Sequence, residues 1–252
     1  MNPLYHRSPS KKPDPDSVEP VHRQAVSCFD LATIHYREAY DLQLRIHEAR
    51  RSGSITSDVI LLLEHHPVFT LGKQGGRENL TVSENVLTDN GISVVHVERG
   101  GNITYHGPGQ LVCYPILHLE NARLKVVDYV ERLEEVMIRT AWEFGVQAER
   151  NSANRGVWVG KNKLGSIGIA IRRGICFHGF AFNVNLAMEP FGWINPCGLK
   201  GVSMTSLERE GAAGISVDAV RGPILRHLED VLNRQLIIGN RSDLGALLDT
   251  IG

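Results

Sequence analysis

The sequence predicts one α/β domain, and three observations carry that prediction. Apolar runs of strand length, such as Val59–Leu63, alternate along the chain with stretches whose apolar residues recur every three or four positions. At 252 residues the chain suits one large domain or two small ones and can bury a sizeable core. No linker divides residues 25–250, which decides for one. The chain therefore reads as a tail, residues 1–24, and a single folded unit, residues 25–252.

Pro3, Pro9, Pro13, Pro15 and Pro20, set among polar residues, predict a disordered tail. Met1–Pro20 has no apolar segment for a secretory signal, and Asp14, Asp16 and Glu19 suit a transit peptide poorly. Asp30 is expected to cap a helix that runs to about Arg51, with Leu31, Ile34, Leu42 and Ile46 as its stripe and Gly53 at its end. Val59–Leu63 is a strand buried on both faces, Pro67–Gly72 a second strand or turn, and Ile92–Val97 a third. His65-His66 is expected to be a turn with exposed histidines. Arg99–Gln110 holds five Gly or Pro in twelve residues and reads as a functional loop. The strand Leu111–Leu117 follows, then a helix over 126–144 closed by Gly145.

The third quarter reads β. Gly156–Val159 is a short strand. Asn162 turns the chain into Lys163–Arg172, where Ile167, Ile169 and Ile171 alternate with Ser166, Gly168 and Ala170. In residues 177–185 the large His178, Phe180, Phe182 and Val184 alternate with Gly179, Ala181, Asn183 and Asn185. Two strands that each have one stripped face predict a groove floor, where a substrate approaches the backbone closely. Thr205-x-x-Glu208 is expected to open a helix as a capping box. Ser216 precedes a helix carrying Ile224, Leu228, Val231 and Leu232, and Pro223 bends it or marks its start.

Composition narrows the function. The chain is 42% hydrophobic and 22% charged, and its net charge of −1 gives no basic field for nucleic acid. No apolar run reaches membrane-spanning length. Cys28, Cys113, Cys176 and Cys197 form no C-x-x-C pair, so free thiols and a cytoplasmic location are expected. The Walker, Rossmann and H-E-x-x-H patterns are absent, which speaks against nucleotide binding and zinc hydrolysis; no cofactor or metal is expected. His106 and His178 either orient a substrate or satisfy buried carbonyls.

Ile194-Asn195-Pro196-Cys197-Gly198 holds one thiol on a turn stiffened by Pro196 and eased by Gly198. Taken alone, this pentapeptide reads as a small hydrophobe closing a loop. A nearby lysine changes that reading, because an ammonium lowers a thiol's pKa and a partly buried lysine can take the proton an incoming amine must lose. Lys163, at the start of the stripped strand, is the candidate. A papain-like pairing of Cys197 with histidine lacks the usual local signatures.

Four segments then carry a resemblance. Arg99-Gly100-Gly101-Asn102-Ile103-Thr104-Tyr105-His106-Gly107-Pro108-Gly109-Gln110, Lys163–Gly168, Phe177–Asn185 and Asn195–Gly198 stand in the order and spacing of the octanoyltransferases, the lipoyl(octanoyl) transferases of lipoate biosynthesis. The resemblance covers about residues 30–235. It implies a mixed sheet flanked by helices, as in the catalytic domain of biotin and lipoate protein ligases. It also implies transfer of an octanoyl or lipoyl group from acyl carrier protein to a lysine of lipoyl domains, those of 2-oxoacid dehydrogenases or the glycine-cleavage H protein. Cys197 matches the nucleophile that forms an acyl-thioester, and Lys163 the lysine that tunes it. Arg99, Gly100, Gly101, Asn102, Ile103, Thr104, Tyr105 and His106, with Ser166, Ile167, Gly168, Gly179, Phe180 and Ala181, match the acyl-binding segments.

No ATP is required for such transfer, since the thioester donor is already activated. An ATP-dependent ligase on the same fold and a non-catalytic carrier-binding module are the rival readings. Further expectations follow from the implied acyl groove. Gly165 alters its width slightly, Gly179→Leu excludes octanoyl without harming the fold, and Arg172-Arg173 are either a docking patch for an acidic carrier at its mouth or an ordinary solvated pair at a strand end.

Overall fold

β-branched and leucine-rich segments with no charges inside them have one stable destination, the middle of a sheet covered on both faces. Val59–Leu63 takes that place. The computed structural model describes residues 23–152, 154–195 and 202–249. The elements in chain order are β1 (Gln24–Ile34), α1 (Tyr36–Ser52), β2 (Asp58–His65), β3 (Val68–Leu71), α2 (Glu84–Asp89), β4 (Ser93–His96), β5 (Ile103–His106), β6 (Gln110–His118), α3 (Val126–Glu143), β7 (Glu149–Arg150), β8 (Val157–Val159), β9 (Asn162–Arg172), β10 (Ile175–Asn183), β11 (Ser203–Met204), α4 (Val217–Leu232), β12 (Arg234–Asn240) and α5 (Arg241–Asp249).

The main sheet runs β12-β1-β2-β6-β10-β9-β8-β7, with β11 added to β9. It is mixed: β12, β1 and β2 are mutually parallel, and β2 through β7 pair antiparallel along that order. Helices α3 and α4 cover one face, where Tyr129, Leu133 and Met137 meet Ile224 and Leu228 over Phe180, Phe182 and Leu164. Helices α1 and α5 cover the other, with Ala39, Ile46, Leu244 and Leu248 over Leu61, Val112 and Phe177. A separate sheet of β4-β3-β5 has its own core, in which Phe69, Leu71, Ile103 and Tyr105 pack on Phe191 and Ile194.

Several expectations are met. The expected strands over 59–63, 67–72, 92–97 and 111–117 are β2, β3, β4 and β6, and the helix over 126–144 is α3. Ser216 caps α4, its hydroxyl accepting from Ala219 N at 3.2 Å, so Pro223 lies about two turns inside the helix, not at its start.

Others are corrected. The helix expected from Asp30 starts at Tyr36, because residues 24–34 are strand β1 between β2 and β12. Asp30 instead accepts from Arg221 of α4 at 2.8 Å and from its own strand. Its carboxylate accepts from Ala32 N at 2.9 Å across a bulge where Ala32 has φ +51°. The Leu31, Ile34, Leu42 and Ile46 spacing crosses a strand–helix junction that imitates one stripe. His65 is buried at the end of β2, bonded to Ile34 O and Tyr114 Oη. Thr205–Glu208 is not helical. Thr205 N donates to Lys163 O, and Leu207 N and Glu208 N donate to Asn183 O and Val184 O, so the segment clips onto the ends of β9 and β10. Of the expected tail, residues 1–22 lie outside the described residues, and its last residue, Gln24, opens β1; the Pro196–Gly198 turn lies outside them too.

Candidate active site

Strands β9 and β10 pair antiparallel, with Gly168 opposite Gly179, Ser166 opposite Ala181 and Ala170 opposite Phe177. Ile167 and Ile169 turn to the α3–α4 side and pack there, so the other face of β9 is left with Ser166, Gly168 and Ala170. The small sheet and the loop before β5 arch over this bare face. Between them lies an open cleft of about 100 Å³.

The loop Arg99–Asn102 forms the roof. Its backbone is clipped to the segment after β3, with Gly72 N donating to Asn102 O and Lys73 N to Arg99 O, and it reaches β9 through Gly100 N to Ile169 O at 2.9 Å. The approach needs glycine. A Cβ on Gly72 would lie 2.5 Å from Gly101 O. The Arg99 side chain is buried against Thr70, giving Nη2 to Thr70 O at 2.6 Å and Nε to Thr70 Oγ1 at 3.2 Å.

One end of the cleft is built from aromatic rings and imidazoles. His106 contacts Gln110 Oε1 at 2.7 Å and Thr70 Oγ1 at 3.3 Å, and its ring lies 5.9 Å from Tyr36. Burial holds His106 well below the ordinary histidine range and His65 at about 4. His178 adopts φ +56°, and its N–H leaves the sheet to reach Gln43 Oε1 at 2.8 Å. The pairs that flank it set Pro115, which has no N–H to give, opposite this position. The twist turns the His178 ring onto Tyr40 and Tyr114. There Nε2 lies 3.9 Å from Glu98 Oε2, and burial outweighs that carboxylate in lowering the His178 pKa.

The other end holds a lysine. Lys163 Nζ donates to Asn154 Oδ1 at 2.9 Å and lies 5.3 Å from the centre of the Trp158 ring. Gly156, at φ +121°, has no side chain to block the lysine stem, since a Cβ there would sit 2.7 Å from Lys163 Cε. β11 pairs with β9 here, with Met204 opposite Lys163, and Val202 and Met204 complete the wall. The segment that carries Cys197 leaves the small core at Ile194, where Asn195 N donates to Asn79 O, and returns at Val202. Cys197 itself lies outside the described residues. The other three cysteines are buried. Burial pushes the Cys28 thiol to about 12, Cys176 to about 11 and Cys113 well above its ordinary value.

A family model described as the lipoyl protein ligase A/B catalytic domain matches residues 35–229. The chain belongs to that family. Its curated relatives include the octanoyltransferase of Desulfotalea psychrophila, 50% identical over 83% of this chain and 95% of the relative. That of Syntrophobacter fumaroxidans is 44% identical over 88% and 96%. Among solved structures, the bipartite lipoate protein ligase of Thermoplasma acidophilum aligns with a TM-score of 0.66 at 14% identity, covering 90% of this chain and 91% of that one, a likeness of fold. The chain is an acyltransferase of the octanoyltransferase group, working between an acyl donor and an acceptor protein. No helix among the described residues is long and apolar enough to cross a membrane.

Set against the octanoyltransferase expectations, most candidate residues converge on the cleft. Arg99, Gly100, Gly101, Asn102, Ile103, Thr104 and His106 line it from above, and Lys163, Ser166, Ile167, Gly168, Gly179, Phe180 and Ala181 from below. Tyr105 does not join them. It alternates away on β5 and packs on Phe69 and Phe191. Gly179 borders the cleft, yet a Cβ on it would lie 2.1 Å from Cys113 O. The His178 twist aims this position into β6, so Gly179→Leu strikes the neighbouring strand. A Cβ on Gly165 would point at Met137 of α3, 2.6 Å from its sulfur, and so away from the cleft. Arg172 ends β9 at the far end from Lys163, bound to Glu98 at 2.5 Å. Sequence reading missed Tyr36, Tyr114 and Asn154. The two tyrosines sit in segments with no motif, and only the approach to a Gly-led hairpin hints at Asn154.

Proposed function

We propose that this protein moves an octanoyl or lipoyl group from acyl carrier protein to one lysine of a lipoyl domain, through a thioester on Cys197. The acceptors are the lipoyl domains of 2-oxoacid dehydrogenases and the glycine-cleavage H protein. The observation that carries the reading is the cleft: a side-chain-poor floor leads to Lys163, and β11, which follows Cys197 in the chain, pairs with β9 at that lysine. Residues 25–252 form the catalytic unit, working in the cytoplasm.

In the first step the Cys197 thiolate attacks the donor carbonyl, and the carrier's sulfur leaves with its bonding electrons and takes a proton from the Lys163 ammonium, which leaves Lys163 neutral. That exchange of one thioester for another is nearly balanced, so it needs a thiolate and good positioning. The Lys163 ammonium favours the thiolate. In the second step the acceptor amine attacks the Cys197 thioester. The C–S bond breaks, Cys197 leaves as thiolate, and Lys163 takes the proton the amine loses. Backbone N–H groups of the glycine-rich segments stabilise the oxyanion. The cleft's apolar floor holds the acyl chain.

Intact-protein mass after mixing with octanoyl-acyl carrier protein tests the reading. One octanoyl adduct is expected on the wild type, none on Cys197→Ala, and transfer to a lipoyl domain without ATP. An adduct on another cysteine, or a requirement for ATP, would overturn it.

A further inference from the structure

Lys163 is held by a cradle that reaches well beyond the cleft. Its Nζ donates to Asn154 Oδ1 at 2.9 Å, and Asn154 is fixed in turn. The buried Trp158 indole N–H donates to Asn154 O at 3.2 Å while the same ring faces Lys163 Nζ. Two residues on, Gly156 N donates to Glu134 Oε1 at 2.9 Å. Glu134 is a carboxylate of α3 with only 1% exposure, and its other oxygen meets Arg150 at 3.3 Å and Arg155 at 3.4 Å. A buried carboxylate that ties down one short segment, and an indole that ties down one residue of it, both fix the side chain that meets the lysine.

The chemistry of that side chain is selective. An amide oxygen accepts from –NH₃⁺ and from –NH₂ and adds no charge, so it orients the lysine in both protonation states. A carboxylate at the same place would favour the ammonium and oppose its role as a base. Among the described residues, the charged groups around Lys163 are Glu134 from α3, Arg150 and Arg155 from the segment before β8, Lys161 from the β8–β9 turn, Glu210 beyond β11 and Arg99 across the cleft. Glu134 is occupied by its arginines and by Gly156 N, and Glu210 by Thr205 and Asn162.

We propose that Asn154 is a positioning residue of the transfer reaction, holding Lys163 on the cleft axis through a neutral acceptor. This rests on the reading of Lys163 as the base of the second step. Glu134 and Trp158 act through it.

The test is single-turnover transfer from preformed octanoyl-enzyme to a lipoyl domain, from pH 6 to 9.5, on wild type, Asn154→Asp, Asn154→Ser and Lys163→Ala. Asn154→Asp keeps the shape and adds one charge. The pH at which its rate is half-maximal is expected to rise by at least about one unit, with the plateau at high pH largely kept. Asn154→Ser is neutral and too short to reach Nζ. It is expected to lower the plateau about tenfold without moving the midpoint, while its melting temperature stays at the wild-type value and its rate of acylation by the donor within about twofold of wild type; a structural fault would move both, so this variant carries the test if the aspartate variant does not fold. A structural role alone would leave the midpoint of both unchanged. Wild-type profiles in the folded Asn154 variants, with Lys163→Ala crippled, would overturn the Asn154 assignment and leave the lysine standing. A wild-type profile in Lys163→Ala would remove both.

Discussion

The two ends of the cleft are built from opposite materials. Around His106, His178 and His65, titratable rings are buried among tyrosines, and burial drives them toward the neutral form. Around Lys163, a strongly basic group is left partly exposed and given an amide, an indole face and room for its stem. Histidine is the usual choice for proton transfer near neutrality, yet here the histidines serve as walls and the lysine stands where β11 joins β9. Residue type alone would have put the chemistry at the wrong end. What separates the ends is whether a charge, once formed, has polar company.

The largest expected effects separate the ends by activity. Cys197→Ala should abolish the acyl-enzyme, because raised pKa values disarm each of the other thiols. Lys163→Ala should lower transfer to the acceptor ~10²–10⁴-fold, the usual consequence of losing a general base. It should also slow thiol alkylation at neutral pH, with partial recovery as pH rises. His106→Gln, which keeps neutral hydrogen-bonding capacity, should stay within about tenfold of wild type in the same single-turnover assay. If His106→Gln matched Lys163→Ala, the division drawn between the two ends would be false.

The contrast also explains what could be read without coordinates. The bare faces of β9 and β10 were legible, since alternation of Ile167 and Ile169 with Ser166 and Gly168 is a property of the strand itself. Lys163 was legible because it heads that strand. The αL twist at His178 was not. It depends on Pro115, sixty-three positions earlier, lying opposite in a strand pair, and it redirects Gly179 out of the cleft and into β6. Strand β1 was hidden by a stripe that spans its junction with α1. Asn154 was hidden because its value comes from Trp158 and Glu134, contacts that pattern within a segment cannot show.

The histidine end should reveal itself in stability before activity. His65 titrates at about 4 in the folded protein because burial opposes its charge, against ~6.5 in an unfolded chain. A depressed histidine binds fewer protons folded than unfolded. Its contribution is therefore complete above pH ~6.5 and lost progressively as pH falls toward 4, some ~3 kcal/mol in all. Glu98, held at about 2 by the neighbouring His178 imidazole, the Tyr40 hydroxyl and Arg172, loses its contribution only below the unfolded carboxylate range near pH ~4.3. Denaturant titrations at pH 7.5 and 5.0 should thus show a drop that His65→Gln reduces. An identical drop in that variant would mean that His65 is not the group responsible.

The smallest effect tests what lies between the ends. Ala181 faces Ser166 across the β9–β10 pair and lines the cleft from the α1 side. Ala181→Leu adds three carbons to the floor, displacing about the length of chain that distinguishes octanoyl from hexanoyl. At ~0.8 kcal/mol per buried methylene, two methylenes correspond to a selectivity of roughly tenfold. The kcat/KM ratio for octanoyl over hexanoyl donors should fall by about that factor, while thermal stability changes little. Gly179→Ala is the matched opposite. Its new Cβ would meet Cys113 O at 2.1 Å and Pro115 Cδ at 2.8 Å, so stability should fall by ~1–3 kcal/mol or more while the selectivity of the folded fraction holds. Both residues border the same cleft and lie two apart on one strand, so overall folding defects cannot account for opposite outcomes. If Ala181→Leu kept the wild-type ratio and Gly179→Ala changed it, the acyl chain would run along β10 on the β6 side, and the floor assigned here to β9 would be wrong.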